Sequence, residues 1–211
     1  MSAEFLSLIN KDTFKKHIKD SVSRSQRCQR NWDLSKKMPQ EDIDLIVHAA
    51  TECPTKQNNE YYSVYVIQDR EKIEAIHSNT KTSFRTNPQV LANTLLVFMK
   101  NDIKCDKNAE QRRIAWGMGT EIDEVTLRDD RNQAIGVATG SVNVVSSLLG
   151  YQTGCNKCFN TQAVQEILNT EEEPILMMGI GFKDSSKPRR EHHVTGKAVG
   201  SFNKKIKVVN Y

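Results

Sequence analysis

Residues 54–62 read Pro54-Thr55-Lys56-Gln57-Asn58-Asn59-Glu60-Tyr61-Tyr62, and what stands on either side of them decides the fold. Upstream, Pro39-Gln-Glu-Asp opens an amphipathic helix with Ile43, Ile46, Val47 and Ala50 on one face. Pro54 stops that helix, because proline has no backbone donor and its ring clashes with the preceding turn. Downstream, Tyr61–Gln68 (YYSVYVIQ) is rich in β-formers and reads as a strand. A polar turn thus joins a helix that must bury one face to a strand, the start of a mixed α+β chain.

The rest of the chain extends this pattern. Residues 12–20 (DTFKKHIKD) read as a short helix capped by Asp12 or Thr13, followed by a basic, polar segment from Ser21 to Trp32. Asp69 caps a helix running to about Ser78, and Leu95–Lys100 reads as a second, buried strand. Residues 101–130 are charged and irregular apart from a short helix around Ile114–Met118, and read as an insertion or lid. From Asn132 to Leu149 the chain is helical, small, apolar and almost free of charge. A helix apolar on nearly every side belongs in the middle of a protein; Gly150 ends it. A helix over Thr161–Asn169 and a third strand over Pro174–Phe182 follow. The tail Lys204–Val209 (KKIKVV) looks like a strand with no local neighbour, which invites pairing with a partner chain. The expected fold is α+β, a small mixed or antiparallel central sheet surrounded by helices. No linker divides the 211 residues, so they are expected to form one domain.

Composition narrows the function. The 27% charged residues leave a net charge of only +4, with both signs interspersed along the chain. Nucleic-acid binding needs a clustered basic face, so no nucleic acid is expected. No segment reaches the ~18 apolar residues of a membrane helix, and no signal-like stretch opens the chain, so no membrane is expected either. Five cysteines, Cys28, Cys53, Cys105, Cys155 and Cys158, are an odd number that fits a reducing cytoplasm better than a disulfide framework.

Two motifs carry chemistry. Gln26-Arg27-Cys28-Gln29-Arg30-Asn31-Trp32 sets two arginines three apart before an aromatic, a pattern able to hold a phosphate while the aromatic anchors the backbone. Cys155-x-x-Cys158 has rival readings as a redox dithiol or as half a zinc site completed by His192-His193. No second CxxC or spaced His pair accompanies it, so a loop is the favoured reading and no metal ligands are assigned. Gly117–Gly119 and Gly179–Gly181 lack the third glycine of a dinucleotide fingerprint, and read as packing or turn positions.

In order and spacing, these features resemble the FMN-dependent nitroreductase family. Its members carry an Arg-Arg-Ser-x-Arg-x-aromatic segment, an amphipathic helix, a Pro-Ser-x-x-Asn turn and a strand. Later come a buried helix with a Gly-rich turn, a strand ending Gly-x-Gly-aromatic, and a Pro/Arg-rich segment. Here the late features are residues 132–150, Gly150-Tyr151-Gln152-Thr153-Gly154, Gly179-Ile180-Gly181-Phe182 and Lys187-Pro188-Arg189-Arg190. The resemblance spans about residues 20–192. Cys28 stands where the family prefers Ser and Gln26 where it often has Arg, which removes a hydroxyl contact and one phosphate charge.

The resemblance implies a cofactor site. Arg27, Cys28 and Arg30 would lie at the FMN phosphate and ring edge, and Pro54, Thr55 and Asn58 in the turn against the isoalloxazine. Thr153 and Gly154 would lie in a turn whose backbone amides approach the flavin, and one of Arg189 and Arg190 would close on the phosphate. It also implies a homodimer with FMN at the subunit interface and the C-terminal strand exchanged. NADH or NADPH would be the donor and a small oxidised acceptor, such as a nitroaromatic or quinone, the substrate, in ping-pong turnover. No protein nucleophile is needed, so no catalytic side chain is assigned. Two alternatives stay open: a flavin-binding protein without turnover, and a zinc-containing module built on Cys155 and Cys158.

Overall fold

The computed structural model describes residues 10–80, 87–101, 111, 114–117, 123–187 and 206–210. In chain order the elements are α1 (Lys11–Ser25), α2 (Gln40–Thr51), β1 (Tyr62–Ile67), α3 (Arg70–Ser78), β2 (Thr94–Lys100), α4 (Glu124–Leu148), β3 (Gln152–Asn156), α5 (Thr161–Leu168) and β4 (Pro174–Gly181). The strands form one sheet in the order β1-β2-β4-β3, and every pairing is antiparallel.

The middle strand β2 explains the layering. Every residue from Thr94 to Met99 is buried, so both faces of the sheet must be covered. Successive side chains alternate between faces, and two apolar clusters result. Leu96 and Phe98 pack with Ile43 and Ile46 of α2 and with Ile135, Ala138 and Val142 of α4. On the other face Leu95, Val97 and Met99 meet Ile73 and Ile76 of α3 and Val164 of α5. Each fully buried aliphatic side chain contributes about 2 kcal/mol relative to leaving it in water.

Local chemistry sets most helix ends. Asp69 accepts from the backbone N–H groups of Glu71 and Lys72, as its position before α3 predicts. At α1 the cap is Asn10, whose side chain accepts from Asp12 N and Thr13 N, so Asp12 and Thr13 lie inside the helix. That helix also runs on to Ser25, because its polar last turn docks elsewhere: Ser21 is buried, and Ser147 Oγ donates to its carbonyl at 2.9 Å.

Three other expectations change. The long helix begins at Glu124, capped by Asp123. Its charged first turns bury Asp130 and Arg131, so residues 124–130 are helical where an irregular segment was expected. Nor does α4 sit in the middle of a single chain: a Cβ on Gly136 or Gly140 would meet nothing within 4 Å, and Val137 is 44% exposed. Finally, the Gly150–Gly154 region is not all turn. Gly150, at φ 90°, ends the helix, but Thr153 and Gly154 are in β3, the sheet's edge strand. Residues 206–210 are in no strand of this chain, and Ile206 and Val208 are 75% and 77% exposed. No helix among the described residues is long and apolar enough to cross a membrane.

Candidate functional site

After α1 the chain runs extended along the open edge of β3. Gln29 N donates to Thr153 O at 2.7 Å, Asp33 N to Phe182 O at 2.9 Å, and Asp184 N to Asn31 O at 3.2 Å. Alternation along this extended stretch sorts its side chains. Gln29 and Asn31 are buried, Cys28 and Arg30 are half-buried, and Arg27 is exposed. Trp32 anchors the far end, its indole N–H donating to Pro88 O at 2.8 Å in a buried contact. The approach needs a glycine opposite: a Cβ on Gly154 would lie 2.7 Å from Gln29 O, closer than real Cβ contacts allow.

Arg30 Nη1 donates to Cys28 O at 3.0 Å, which curls the guanidinium back over the segment. The Cys28 thiol donates to Cys155 O at 3.8 Å. The two thiols also hydrogen-bond each other, and this contact together with burial pushes the Cys155 pKa up, keeping it a neutral thiol. Cys155 is therefore part of the edge strand facing the arginine segment, and Cys158 follows in the next loop. The Thr153 hydroxyl donates to Asn143 Oδ1 and ties the same strand to α4.

Gln89 joins this group and was not foreseen. Its Cβ lies 3.0 Å from where a Gly154 Cβ would stand, and its backbone carbonyl lies 1.9 Å from where a Gly179 Cβ would stand. The Gly179-Ile-Gly181 pair thus serves packing, as its missing third glycine implied. The side-chain oxygen of Gln89 is buried with no hydrogen-bond partner among the described residues. An orphaned buried acceptor is costly, by about 1–3 kcal/mol, unless something donates to it. A single glutamine in a loop has no sequence pattern, so only the fold exposes it as a site residue.

The Pro54 turn is built differently. The Thr55 hydroxyl donates to Asn59 O at 2.8 Å, closing a single 3-10 turn over Lys56–Asn58. Gln57 and Asn58 have φ of 58° and 56°, a left-handed geometry that asparagine tolerates better than most residues. Lys56 Nζ lies 2.7 Å from Asp130 Oδ2, with Tyr61 OH 3.5 Å from the same oxygen. These contacts fasten the turn to α4 and leave Pro54 and Asn58 exposed.

The two halves do not meet within one chain. Gly154 is in register, through β4, with Leu95 near the start of β2, whereas Tyr62 pairs with Lys100 at its end. Five residues at about 3.4 Å and three strand spacings of about 4.8 Å put the halves on the order of 20 Å apart. The long helix is a second ruler. Thr153 touches Asn143 and Lys56 touches Asp130, and thirteen residues of helix also span about 20 Å.

Arg189 and Arg190 lie outside the described residues, as do His192 and His193. Among the described residues no group of three or more His, Cys, Asp or Glu is placed to hold a metal ion.

The sequence model of the nitroreductase family matches residues 24–182. Solved structures share the fold at low identity. One is a Staphylococcus epidermidis protein assigned as an NAD(P)H:FMN oxidoreductase, with TM-score 0.64 and 17% identity over 88% of this chain and 91% of that one. Another is an Exiguobacterium sibiricum protein assigned as a nitroreductase and solved in complex with FMN, with TM-score 0.64 and 17% identity over 80% and 90%. A Streptococcus pneumoniae nitroreductase family protein has TM-score 0.61 and 15% identity over 87% and 94%. No curated protein matches the chain in sequence. With its matched span covering the arginine segment, the Pro54 turn and all four strands, the chain belongs to the nitroreductase family.

Proposed function

We propose that this chain is an FMN-dependent oxidoreductase that takes reducing equivalents from NADH or NADPH and passes them to a small oxidised acceptor, such as a nitroaromatic or quinone, by ping-pong turnover. The observation that carries the reading is the docking of the arginine segment on β3 beside an orphaned acceptor. That donor and acceptor set fits FMN. Arg27 and Arg30 would hold the phosphate, joined by Arg189 or Arg190. The free carbonyl oxygen of Gln89 suits the imide N–H of the ring's pyrimidine edge. Thr153 and Gly154 would support the ring through the backbone of an edge strand instead of a turn. When bound, FMN supplies the centre that accepts and donates hydride. The chain's own part is to bind, orient and exclude water.

Pro54, Thr55 and Asn58 would reach this cofactor from a second copy of the chain, since about 20 Å of sheet separates them from Arg27 in their own. A homodimer is further supported by the open face of α4 at Gly136 and Gly140, where small residues permit close helix approach. Ile206 and Val208 in the tail are exposed and suit a strand exchanged with the partner. Residues 1–211 would act as one domain, and the absence of a disulfide among the described cysteines, Cys28, Cys53, Cys155 and Cys158, fits a cytoplasmic setting.

A second reading, flavin binding without turnover, is favoured by one observation: the Cys28 thiol turns to Cys155, where the family's serine would offer a hydroxyl. An absorbance spectrum followed by anaerobic NADH and NADPH separates the two. Flavin bands near about 450 nm that bleach with either nucleotide support the oxidoreductase. Bound flavin that neither nucleotide bleaches supports the second reading, and a chain that takes up no FMN overturns both.

A further inference from the structure

Just past the Asn156 end of β3, the chain borders an open cleft of about 460 Å³. It lies where the first turns of α4 pass the end of β2, the start of β4 and the loop after β3. Lys100, Arg128, Arg131 and Lys157 line it, against the carboxylates of Glu124 and Glu173, which leaves a formal surplus of positive charge. Arg131 is the telling member. It is only 6% exposed, and its Nε is buried without a hydrogen-bond partner among the described residues. Its one described contact is a long one, Nη2 to Asn101 O at 3.5 Å. The adjacent Asp130 is turned to Lys56, and Arg128 reaches Asp129 at 3.4 Å. A buried guanidinium with no carboxylate partner among the described residues is expensive to keep, and it is relieved by an anion that accepts from it.

We propose that this cleft binds a phosphate-bearing ligand, with Arg131 as its buried anchor and Lys100, Arg128 and Lys157 around it. Phosphate matches the donors: several oxygens spread over a centre of high charge, able to accept from a guanidinium and from ammonium groups together. Two sources share that chemistry. One is the pyrophosphate of the nicotinamide donor, which would enter along the edge of β3; this source rests on the flavin reading. The other is a free phosphate or pyrophosphate, which does not.

The test is calorimetric titration of the full chain with sodium pyrophosphate at low ionic strength, with and without added FMN. Saturable binding is expected in the native chain. It should weaken about tenfold in Arg131→Gln and in Lys157→Ala, each losing a charge-assisted contact, and hold in Lys15→Ala, which removes an exposed charge on α1. Lys157 is exposed, so Lys157→Ala tests the cleft even where loss of the buried arginine impairs folding. Pyrophosphate displaced by NADPH or NADH, with KM for the nucleotide raised and kcat unchanged in Lys157→Ala, identifies the donor as the ligand. Variant-sensitive pyrophosphate binding that neither nucleotide displaces identifies a free phosphate ligand, and it stands even where the chain takes up no flavin. Absence of saturable binding, native affinity in both cleft variants, or a loss found in Arg27→Ala alone overturns the assignment.

Discussion

The arginine segment and the Pro54 turn are both short polar connections carrying family motifs, yet the chain fastens them by opposite means. The first is held by backbone hydrogen bonds to β3 and to Phe182 and Asp184 just past β4, with Gly154 leaving room for the approach. Its docking on the sheet therefore depends little on the side chains at positions 26 and 28, which fits the departures at Gln26 and Cys28. The second is held by side chains, the Thr55 hydroxyl on Asn59 and Lys56 on Asp130. There the identity of a few residues matters and the backbone is only locally constrained. The docking of one region is sensitive to a Cβ at Gly154; that of the other is sensitive to the loss of its ion pair.

The largest effect should come from dividing the two regions between chains. A chain carrying Arg27→Ala with Arg30→Ala, and one carrying Pro54→Ala with Asn58→Ala, should each bind almost no FMN alone. Coexpressed, their heterodimer should regain about half the native FMN content, because one of its two composite sites is intact. Failure to regain any, with heterodimers verified, would return both regions to a single chain and break the comparison.

Gly154→Ala strikes the backbone-held region. Its Cβ would meet Gln29 O at 2.7 Å, so a loss of about 2–3 kcal/mol in urea unfolding is expected, with weakened FMN binding. Asp130→Ala strikes the side-chain-held region. Lys56 is half exposed, so the stability loss should be smaller, about 1–2 kcal/mol. FMN affinity should still fall, since the turn loses its tether. Equal stability losses in the two variants would erase the distinction drawn above.

The smallest effect is a pH dependence beside the turn. Burial, and then the nearby Cys53, push the Tyr62 hydroxyl from 10.0 up to about 12, and that hydroxyl donates to Ala50 O at 2.5 Å. The fold favours the protonated form. Its contribution is thus complete below about pH 10 and is lost as pH rises through the folded value near 12. Stability measured across that window should fall less steeply in Tyr62→Phe, which has nothing to ionise.

Much of this was legible in advance, for identifiable reasons. Pro39, Pro54, Asp69 and Gly150 mark helix ends by chemistry confined to a turn or two, and they lie at or beside the observed boundaries. The strands β1, β2 and β4 announce themselves as β-rich or apolar runs. What escaped notice depended on distant partners. β3 is short, Gln-Thr-Gly-Cys-Asn, and is a strand because β4 lies beside it. In the charged start of α4, Asp130 is buried where Lys56 reaches it, although Glu124, Arg128 and Asp129 stay exposed. Among the candidate residues, Arg27, Cys28, Arg30, Thr153 and Gly154 gather as one group, while Pro54, Thr55 and Asn58 gather elsewhere. Gln89 was invisible, having neither charge nor pattern.

Local chemistry thus dictates the helix caps and breaks, the alternating faces of β2, and the order of motifs that marks the family, since each depends on residues within a few positions of one another. Tertiary packing alone decides which motifs share a site. Gln29 meets Thr153 and Lys56 meets Asp130 across more than seventy residues, and the sheet and long helix hold these two meetings on the order of 20 Å apart. Distance through space has no signature along a chain, and so the division of one expected site into two halves emerges only when the chain is folded.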